Sequence, residues 1–388
     1  MKYDVIVVGL GAMGSASLRQ AAKRSIKVLG IDRFSPPHQM GSSHGESRIT
    51  RLAVGEGAEY LPFVRRSHQI WREIEAETDR KLLYQSGVCI VTPGDSSRTS
   101  GSHWDRFVDR TALIAEDAGI DFERLRAQDV RRRVPQLLLR DDDIAGFEPT
   151  GGVVLCEIAV DTQLNLARSG GATINIGETV TALESRSDSV RVVTDKDSYT
   201  AEKVIVTAGA WISEFFAQHI QRRIQVTRQL VYWFEVEDPS PFSAERFPAV
   251  MWLGDTAEEY FGVFPIPPGC TPGLKMLTEQ FETTTDANSV SREVTQAEID
   301  DFYGRFAARK IAGVTPNCLK SAVCLYTNTP DDHFVIDLHP HSNRVMLASP
   351  CSGHGFKHSA AIGEAMAQWA VEGGTELSLA PFAAKRLA

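Results

Sequence analysis

A glycine-rich turn near the start of the chain constrains its fold more than any other sequence feature. Residues 3–8, YDVIVV, have the continuous apolar character of a buried parallel strand. The turn GLGAMG at residues 9–14 follows directly, residues 12–24 predict a helix, and residues 27–32 predict a second strand. This order of strand, glycine turn, helix and strand is typical of a βαβ unit in an α/β protein.

The glycine turn has the residues that a dinucleotide site requires. Gly9 permits the tight turn, Gly11 lets the backbone approach a pyrophosphate, and Gly14 lets the helix pack closely on the strand. Ala12 and Met13 open the helix, where free N–H groups and the positive end of the helix dipole bind phosphate. The sequence therefore predicts a dinucleotide at the N-terminus of this helix.

An acidic residue at the end of the second strand extends this prediction. Asp32 lies eighteen residues after Gly14, where a carboxylate accepts a hydrogen bond from a ribose hydroxyl. Arg33 follows it and could bind a 2′-phosphate. The Asp32 carboxylate would be unfavourable beside that phosphate, so Arg33 is expected in solvent. The motif alone fits either FAD or NAD(P).

Composition narrows the class of protein. The 388 residues carry a formal net charge of −9, which argues against a nucleic-acid partner. No apolar run approaches the ~18 residues that span a bilayer, and no secretory signal is recognisable. The cysteines form no C-x-x-C pair, so a reducing cytoplasm is expected rather than disulfides or a zinc site. They are Cys89, Cys156, Cys270, Cys318, Cys324 and Cys351.

Four longer segments carry a family resemblance. They are GLGAMGSAS (9–17), IDRFSPPHQMGSSHGESRITRLAVGEGAEY (31–60), CLYTNTPDDHFVIDLHP (324–340) and SGHGFKHSAAIGE (352–364). On these segments, and over nearly its whole length, the chain resembles the monomeric sarcosine oxidase and N-methyltryptophan oxidase family of flavoproteins. The resemblance implies FAD as the cofactor.

The segment GSSHGESRITR, residues 41–51, is placed along the flavin by this resemblance. The resemblance implies that Ser42 and Ser43 contact the cofactor, that Arg48 lies against the isoalloxazine, and that Arg51 binds the substrate carboxylate. A guanidinium fork suits a carboxylate, and a cation beside the flavin stabilises its anionic reduced form.

One cysteine is singled out by the resemblance. The family attaches its flavin through a thioether at the position of Cys324, where nearby cations would favour the nucleophilic thiolate. Cys351 is near the same site but is not at the linking position. Tyr326 lies two residues after Cys324 and therefore on the same face of a strand, where it would border the substrate.

The segment SGHGFKHS, residues 352–359, forms the predicted entry to a C-terminal helix. Gly353 and Gly355 allow the backbone to approach a planar ring, and Phe356 belongs to the same bend. Lys357 matches the family lysine that shares the substrate carboxylate with the arginine, and His354 matches a histidine near the flavin.

Further positions rest on the resemblance alone. Lys275 corresponds to the lysine that promotes reaction with dioxygen, and Glu279 stands where sarcosine oxidases carry a histidine. Gly209, in TAGAW, is expected near the pyrophosphate, and the backbone of Val180 is expected near the adenine. His358 differs from some relatives and is expected at the surface.

These observations predict an α/β fold in which two domains are interleaved. One is a Rossmann-like, glutathione-reductase-like FAD-binding domain that includes paired strands at 173–184 and 189–194. The other is a substrate domain built on a mixed, antiparallel-rich sheet. The FAD-binding domain is predicted at residues 1–85, 146–218 and 320–388, and the substrate domain at 86–145 and 219–319.

The predicted activity is oxidation of the secondary amine of an N-alkyl or cyclic amino acid, with dioxygen reduced to hydrogen peroxide. FAD would be covalently attached through Cys324, and the enzyme would be a cytoplasmic monomer without a membrane partner. Alternatives are a flavin dehydrogenase with another electron acceptor, a fructosyl amino acid oxidase, an NAD(P) enzyme, and a flavin-binding sensor. The sequence does not choose between oxidation at the N-alkyl carbon and at the α carbon.

Overall fold

The structure is a computed structural model that describes residues 2–94, 106–254 and 259–387. In these ranges twenty strands form three sheets, and nine α-helices accompany them. The strands are Lys2–Val8 (β1), Val28–Asp32 (β2), Ser47–Thr50 (β3), Leu83–Tyr84 (β4), Val88–Thr92 (β5), Glu123–Arg126 (β6), Ile144–Glu148 (β7), Gly152–Leu155 (β8), Thr173–Ile176 (β9), Val180–Ser185 (β10), Val190–Thr194 (β11), Ser198–Val206 (β12), Gln225–Val236 (β13), Ala249–Leu253 (β14), Tyr260–Phe264 (β15), Leu274–Thr278 (β16), Thr284–Thr285 (β17), Val314–Asn328 (β18), Val335–His339 (β19) and Ser342–Ser349 (β20).

The α-helices contact strands of all three sheets, which are described below. They are Ala12–Ala22 (α1), Leu61–Thr78 (α2), Phe107–Asp117 (α3), Ala127–Arg133 (α4), Cys156–Ser169 (α5), Gln218–Gln221 (α6), Gln296–Phe302 (α7), Ala308–Lys310 (α8) and Ser359–Glu372 (α9). No helix in the described part of the chain combines the length and the apolar character needed to cross a membrane. A π-helical turn, Tyr303–Ala307, connects α7 to α8.

The first sheet is built around the predicted βαβ unit. Its eight strands have the order β10-β11-β12-β1-β2-β9, with β20 paired to β12 and β19 paired to β20. β1 lies between β12 and β2 and is parallel to both. Both faces of such a central strand are covered, which is why the run Val5–Val7 is fully apolar and fully buried. The predicted βαβ unit is confirmed.

One strand prediction near residue 180 is wrong. The segment 173–184 was expected as one strand paired with 189–194, but it is divided into β9 and β10. β9 pairs in parallel with β2, and only β10 pairs with β11. Gly177, with φ of +64°, lies between them in the left-handed region, which ends the extended backbone of β9.

The second sheet is mostly antiparallel, as predicted. Its nine strands have the order β17-β13-β16-β15-β14-β5-β7-β6, with β18 paired along the length of β13. β18 continues without a break from Val314 to Asn328, so the predicted domain boundary at residue 320 falls inside this strand. The division into two domains stays a prediction, and residues 1, 95–105, 255–258 and 388 of its ranges lie outside the described residues.

A third, small sheet, of order β3-β8-β4, positions the segment that contains the predicted arginines.

α1 and α9 pack closely, and a Cβ added at Gly363 would lie 2.3 Å from the Cβ of Ala16. An apolar stripe on α9 is buried at Ile362 and Met366 and half-buried at Trp369. His358, expected at the surface, is instead fully buried beside Tyr60 and Phe334.

Candidate active site

The predicted dinucleotide turn lines a groove between the first sheet and α1. Gly14 packs so closely on the turn that a Cβ would lie 1.7 Å from the carbonyl oxygen of Gly9. Any larger residue would push the helix off the strand, which is why the motif has glycine at this position. No acidic side chain occupies the first turn of α1, so its positive dipole end is available to an anion.

Asp32 holds the glycine turn against the end of β2. Its Oδ2 accepts a hydrogen bond of 2.7 Å from the Leu10 N–H, and its Oδ1 accepts one of 2.7 Å from the Phe34 N–H. Arg33 is exposed and donates a hydrogen bond of 2.8 Å to the side chain of Asn288. Each Asp32 oxygen has a further lone pair, so a ribose hydroxyl can still bind there.

The groove brings together most of the predicted nucleotide-binding residues. Those that line it are Gly9, Gly11, Ala12, Met13, Asp32, Arg33, Ser42, Ser43, Val180 and Gly209. Ser43 accepts the Ala12 N–H at 3.1 Å and so covers the beginning of α1. The residues present therefore fit the dinucleotide part of FAD, and each individual contact remains a prediction.

A cavity of about 430 Å³ lies next to the groove. The Arg48 guanidinium joins the two, because Nη2 donates a hydrogen bond of 2.9 Å to the carbonyl of Ser42. The predicted residues that line the cavity are Arg48, Arg51, Cys324, Tyr326, Gly353, His354, Phe356 and Lys357. Gly355 lines neither space. It packs tightly on the backbone, since a Cβ there would lie 1.7 Å from the Pro350 carbonyl oxygen.

Cys324 is buried in a cationic environment. Its sulfur lies 3.5 Å from Nε2 of His44 and 3.6 Å from Nη2 of Arg48. Burial alone would raise its pKa, but His44, Arg48 and Lys275 together lower the pKa of Cys324 to about 6. Cys324 is therefore largely a thiolate at neutral pH.

Cys351 differs from Cys324, because burial is the main influence on the pKa of its thiol. Burial raises the pKa of Cys351, and its sulfur accepts the Thr327 N–H at 3.3 Å. Cys351 lines the groove and not the cavity. The two cysteines are thus close in the fold but differ in charge. The thiolate is the one that the resemblance identified.

Arg51 and Lys357 meet at a carboxylate that sequence reasoning missed. Oε2 of Glu56 lies 2.7 Å from Nη2 of Arg51, and Oε1 lies 2.9 Å from Nζ of Lys357. All three side chains are buried. Although burial opposes it, the two cations hold the pKa of Glu56 well below its usual range, and burial lowers the pKa of Lys357 to about 8. The predicted pair of cations is therefore present and already binds one carboxylate.

Glu279, the predicted departure from sarcosine oxidases, lies in the wall of the cavity. Its Oε1 accepts a hydrogen bond of 2.8 Å from the phenol of Tyr326. Burial raises the pKa of Glu279 to about 7. The charges of Glu56 and Asp332 raise this pKa further, whereas Tyr326 and Lys357 lower it. This carboxyl can therefore change its charge at neutral pH.

Lys275 is buried behind the cavity wall and is not among the residues that line the cavity. Its Nζ donates to the Ser47 carbonyl and lies 4.0 Å from the ring centre of Phe264. Burial, with the charge of Arg48, lowers the pKa of Lys275 to about 7. The ammonium is next to Arg48 and Gly45, since a Cβ at Gly45 would lie 4.0 Å from Nζ and 3.4 Å from Nη1 of Arg48.

Trp233 and Glu46, which sequence reasoning also missed, support Lys275. Trp233 on β13 pairs with Lys275 on β16 and with Lys320 on β18. Glu46 accepts hydrogen bonds of 2.8 Å from Nε1 of Trp233 and 2.8 Å from Nζ of Lys320. Glu46 has a φ of +69°, which non-glycine residues rarely adopt. Glu46 therefore helps to hold the tryptophan ring that lies beside Lys275.

Comparison with known proteins places this arrangement in a family. The sequence model described as "FAD dependent oxidoreductase" matches residues 4–369. Monomeric sarcosine oxidase from Arthrobacter sp. (strain TE1826) is 36% identical over 386 residues, which is 99% of this chain and 96% of that protein. N-methyl-L-tryptophan oxidase from Yersinia pestis (strain Pestoides F) is 33% identical over 391 residues, which is 100% of both chains.

Solved structures give the same fold. NikD, described as an unusual amino acid oxidase essential for nikkomycin biosynthesis, superposes in its open form with a TM-score of 0.83. That comparison covers 98% of this chain and 97% of NikD at 24% sequence identity. L-proline dehydrogenase from P. horikoshii gives a TM-score of 0.79 at 18% identity and covers 99% of this chain and 97% of that one.

Proposed function

Because this chain belongs to the FAD dependent oxidoreductase family, we propose that it oxidises the secondary amine of an N-alkyl or cyclic amino acid. Bound FAD supplies the redox chemistry, in which hydride loss from the carbon beside nitrogen gives an imine that water hydrolyses, and dioxygen becomes hydrogen peroxide. The observation that carries the proposal is the buried meeting of Arg51 and Lys357 at one side of the cavity.

These two cations define the carboxylate end of the substrate. Arg51 and Lys357 carry two positive charges, and Glu56 supplies one negative charge between them. One positive charge therefore remains uncompensated within this group, which favours the entry of one substrate carboxylate. Holding the carboxylate there orients the neighbouring amine within the cavity, which contributes by proximity.

Cys324 is proposed as the covalent attachment point of FAD. Support comes from its low pKa, because the thiolate is the form that attacks an electrophilic carbon. Nitrogen atoms of His44 and Arg48 lie within 3.6 Å of the sulfur and stabilise its negative charge. Cys351, whose pKa is raised, serves as the internal contrast.

Lys275 is proposed to assist dioxygen. A buried ammonium stabilises negative charge that develops on oxygen more strongly than one in water would. The Ser47 carbonyl and the rings of Phe264 and Trp233 hold Nζ in place. Its pKa of about 7 lets it exist in both protonation states at neutral pH.

The site described here lies within one chain, which supports the proposal that the enzyme works as a monomer. Substrate and dioxygen are its proposed partners, and a cytoplasmic location stays a prediction from the sequence. The named relatives act on sarcosine and on N-methyl-L-tryptophan, which differ greatly in size. The proposed substrate class is therefore set by the carboxylate and the secondary amine, and not by one side chain.

A peroxide assay tests this function. The purified protein is offered sarcosine, N-methyl-L-tryptophan, a cyclic amino acid and a fructosyl amino acid, and hydrogen peroxide is measured. We expect peroxide from at least one secondary amine, and an increase in KM of about tenfold to a hundredfold in Lys357→Met. Substrate reduction of the flavin without peroxide would show a dehydrogenase with another acceptor, and a colourless protein would contradict the use of FAD.

A further inference from the structure

We propose that Glu279 accepts the proton of the substrate ammonium group and is thereby a catalytic residue of the amine oxidation, an inference that rests on the proposed function. The step is a proton transfer, in which the ammonium and the Glu279 carboxylate become a neutral amine and a carboxylic acid. It needs no oxidant and no further reactant. The electron pair of the broken N–H bond stays on nitrogen.

A group that accepts this proton favours the reaction at neutral pH. An aliphatic secondary amine has a pKa near that of lysine, about 10, and is protonated at neutral pH. A protonated nitrogen has no lone pair to stabilise the positive charge that hydride loss leaves on the neighbouring carbon. At neutral pH a base within the cavity that takes this proton therefore raises the fraction of reactive neutral amine, and such a base works best with a pKa near the working pH.

The position of Glu279 fits this role. It follows β16 directly, and its carboxyl forms part of the cavity wall beside the Gly353 bend. A Cβ built at Gly353 would lie 3.4 Å from Oε1 of Glu279. Within the described residues, Glu279 accepts from the neutral phenol of Tyr326 and forms no ion pair. The carboxyl therefore retains acceptor capacity for a substrate proton.

The surrounding charges keep Glu279 titratable near neutral pH. The groups that act on it from neighbouring elements are Tyr326 on β18, Tyr260 on β15, Lys357 after β20, Glu56 after β3 and Asp332 before β19. Burial and the two carboxylates raise its pKa, whereas Tyr326 and Lys357 lower it, and the result is a pKa of about 7. An ammonium placed beside it would favour the carboxylate form.

Three other titratable groups suit the role less well. Glu56 is paired with two cations that hold its pKa well below the usual range, so it is a weak base. Lys275 has a pKa of about 7 but is not among the residues that line the cavity. Burial raises the pKa of Tyr326 well above its ordinary value. Glu279 combines cavity position, suitable pKa and freedom from an ion pair.

A pair of isosteric ligands tests the inference without turnover. 2-Aminoisobutyrate has an ammonium and a carboxylate but no hydrogen on the carbon that bears nitrogen, and pivalate replaces its ammonium by a methyl group. Their dissociation constants with the holoenzyme are measured from the flavin absorbance between about pH 6 and about pH 9. Glu282→Gln, an exposed position three residues further on, is the matched control.

For the wild type, we expect the preference for 2-aminoisobutyrate over pivalate to fall as pH decreases through about 7. Lowering the pH protonates Glu279 while the ligand ammonium stays charged, so the ammonium loses its acceptor, with a limiting slope of about tenfold per pH unit. In Glu279→Gln the preference should be smaller and independent of pH. An unchanged pH-dependent preference in Glu279→Gln would overturn the inference.

Anaerobic flavin reduction gives the second measurement. In Glu279→Gln the reduction rate at pH 7 should fall by about 10²–10⁴-fold and recover as pH rises towards the amine pKa. Glu279→His replaces the carboxyl by the residue of sarcosine oxidases and should restore much of the rate at pH 7. If the wild type oxidises no amine, the proposed function fails. If the wild type oxidises an amine and the pH profiles of both variants match that of the wild type, only the role of Glu279 fails.

Discussion

The sulfur of Cys324 lies 3.5 Å from Nε2 of His44, although 280 positions separate the two residues in the chain. His44 is buried between Ser43, which covers the start of α1, and Gly45, which lies beside Lys275. One segment after β2 thus links the nucleotide groove to the thiolate. This relationship connects the dinucleotide site to the chemistry of the cavity.

Replacement of Cys324 should abolish covalent attachment of FAD. In Cys324→Ala, flavin should be released into the supernatant when the protein is precipitated with acid, whereas wild-type flavin should stay in the pellet. Cys351→Ala is the matched control and should retain its flavin, because the Cys351 thiol is not ionised at neutral pH. Colour in the Cys324→Ala pellet would contradict the assignment.

Replacement of His44 should make attachment depend more strongly on pH. The pKa of Cys324 is lowered to about 6 by His44 together with Arg48 and Lys275, so His44→Asn should raise it. The thiolate fraction at pH 7 then falls, and covalent incorporation of FAD into apoprotein should slow several-fold and recover at higher pH. Equal incorporation rates for both proteins at pH 7 would show that His44 does not tune the thiol.

Removal of the Glu56 charge should tighten the binding of carboxylate ligands. Glu56→Gln leaves both positive charges of Arg51 and Lys357 uncompensated instead of one, so pivalate should bind about tenfold more tightly. The free energy of unfolding should decrease by about 3 kcal/mol, because a buried ion pair loses one partner. Glu59→Gln, where the side chain is 31% exposed, is the control and should change neither quantity much. Weaker pivalate binding in Glu56→Gln would contradict the predicted role of these cations.

Loss of the Lys275 ammonium should affect the reaction with dioxygen selectively. In Lys275→Met, anaerobic reduction by substrate should change little, and reoxidation by dioxygen should slow by about 10²-fold. Stopped-flow absorbance separates the two half-reactions. If both rates decrease equally, Lys275 has a general structural role, and an unchanged reoxidation rate would exclude its role with dioxygen.

Sequence reasoning predicted what local patterns and motif matches encode. The βαβ unit and the roles of Gly9 and Gly14 follow from residues close together in the chain, and the structure confirms the unit. The family was identified from four quoted segments, and comparison with known proteins confirms it. Arg51, Lys357 and Cys324 were recognised only because they lie in those segments.

The residues that were missed act through contacts across the chain. Glu56 resembles an ordinary surface acid in sequence, but its partner Lys357 is 301 positions away. Glu46 is 274 positions from Lys320, and no local pattern reports that contact. The buried position of His358 likewise depends on Tyr60 and Phe334, which arrive from other parts of the chain. Such tertiary contacts decide burial and pKa, which a motif alone does not contain.

The most direct test mixes the yellow holoenzyme anaerobically with an N-methyl amino acid and with the corresponding amide, while flavin absorbance is followed. A site built from Arg51, Lys357 and Cys324 around bound FAD predicts rapid bleaching by the carboxylate and much slower bleaching by the amide. Equal bleaching by both ligands, or oxidised flavin that persists with every secondary amino acid tried, would contradict this.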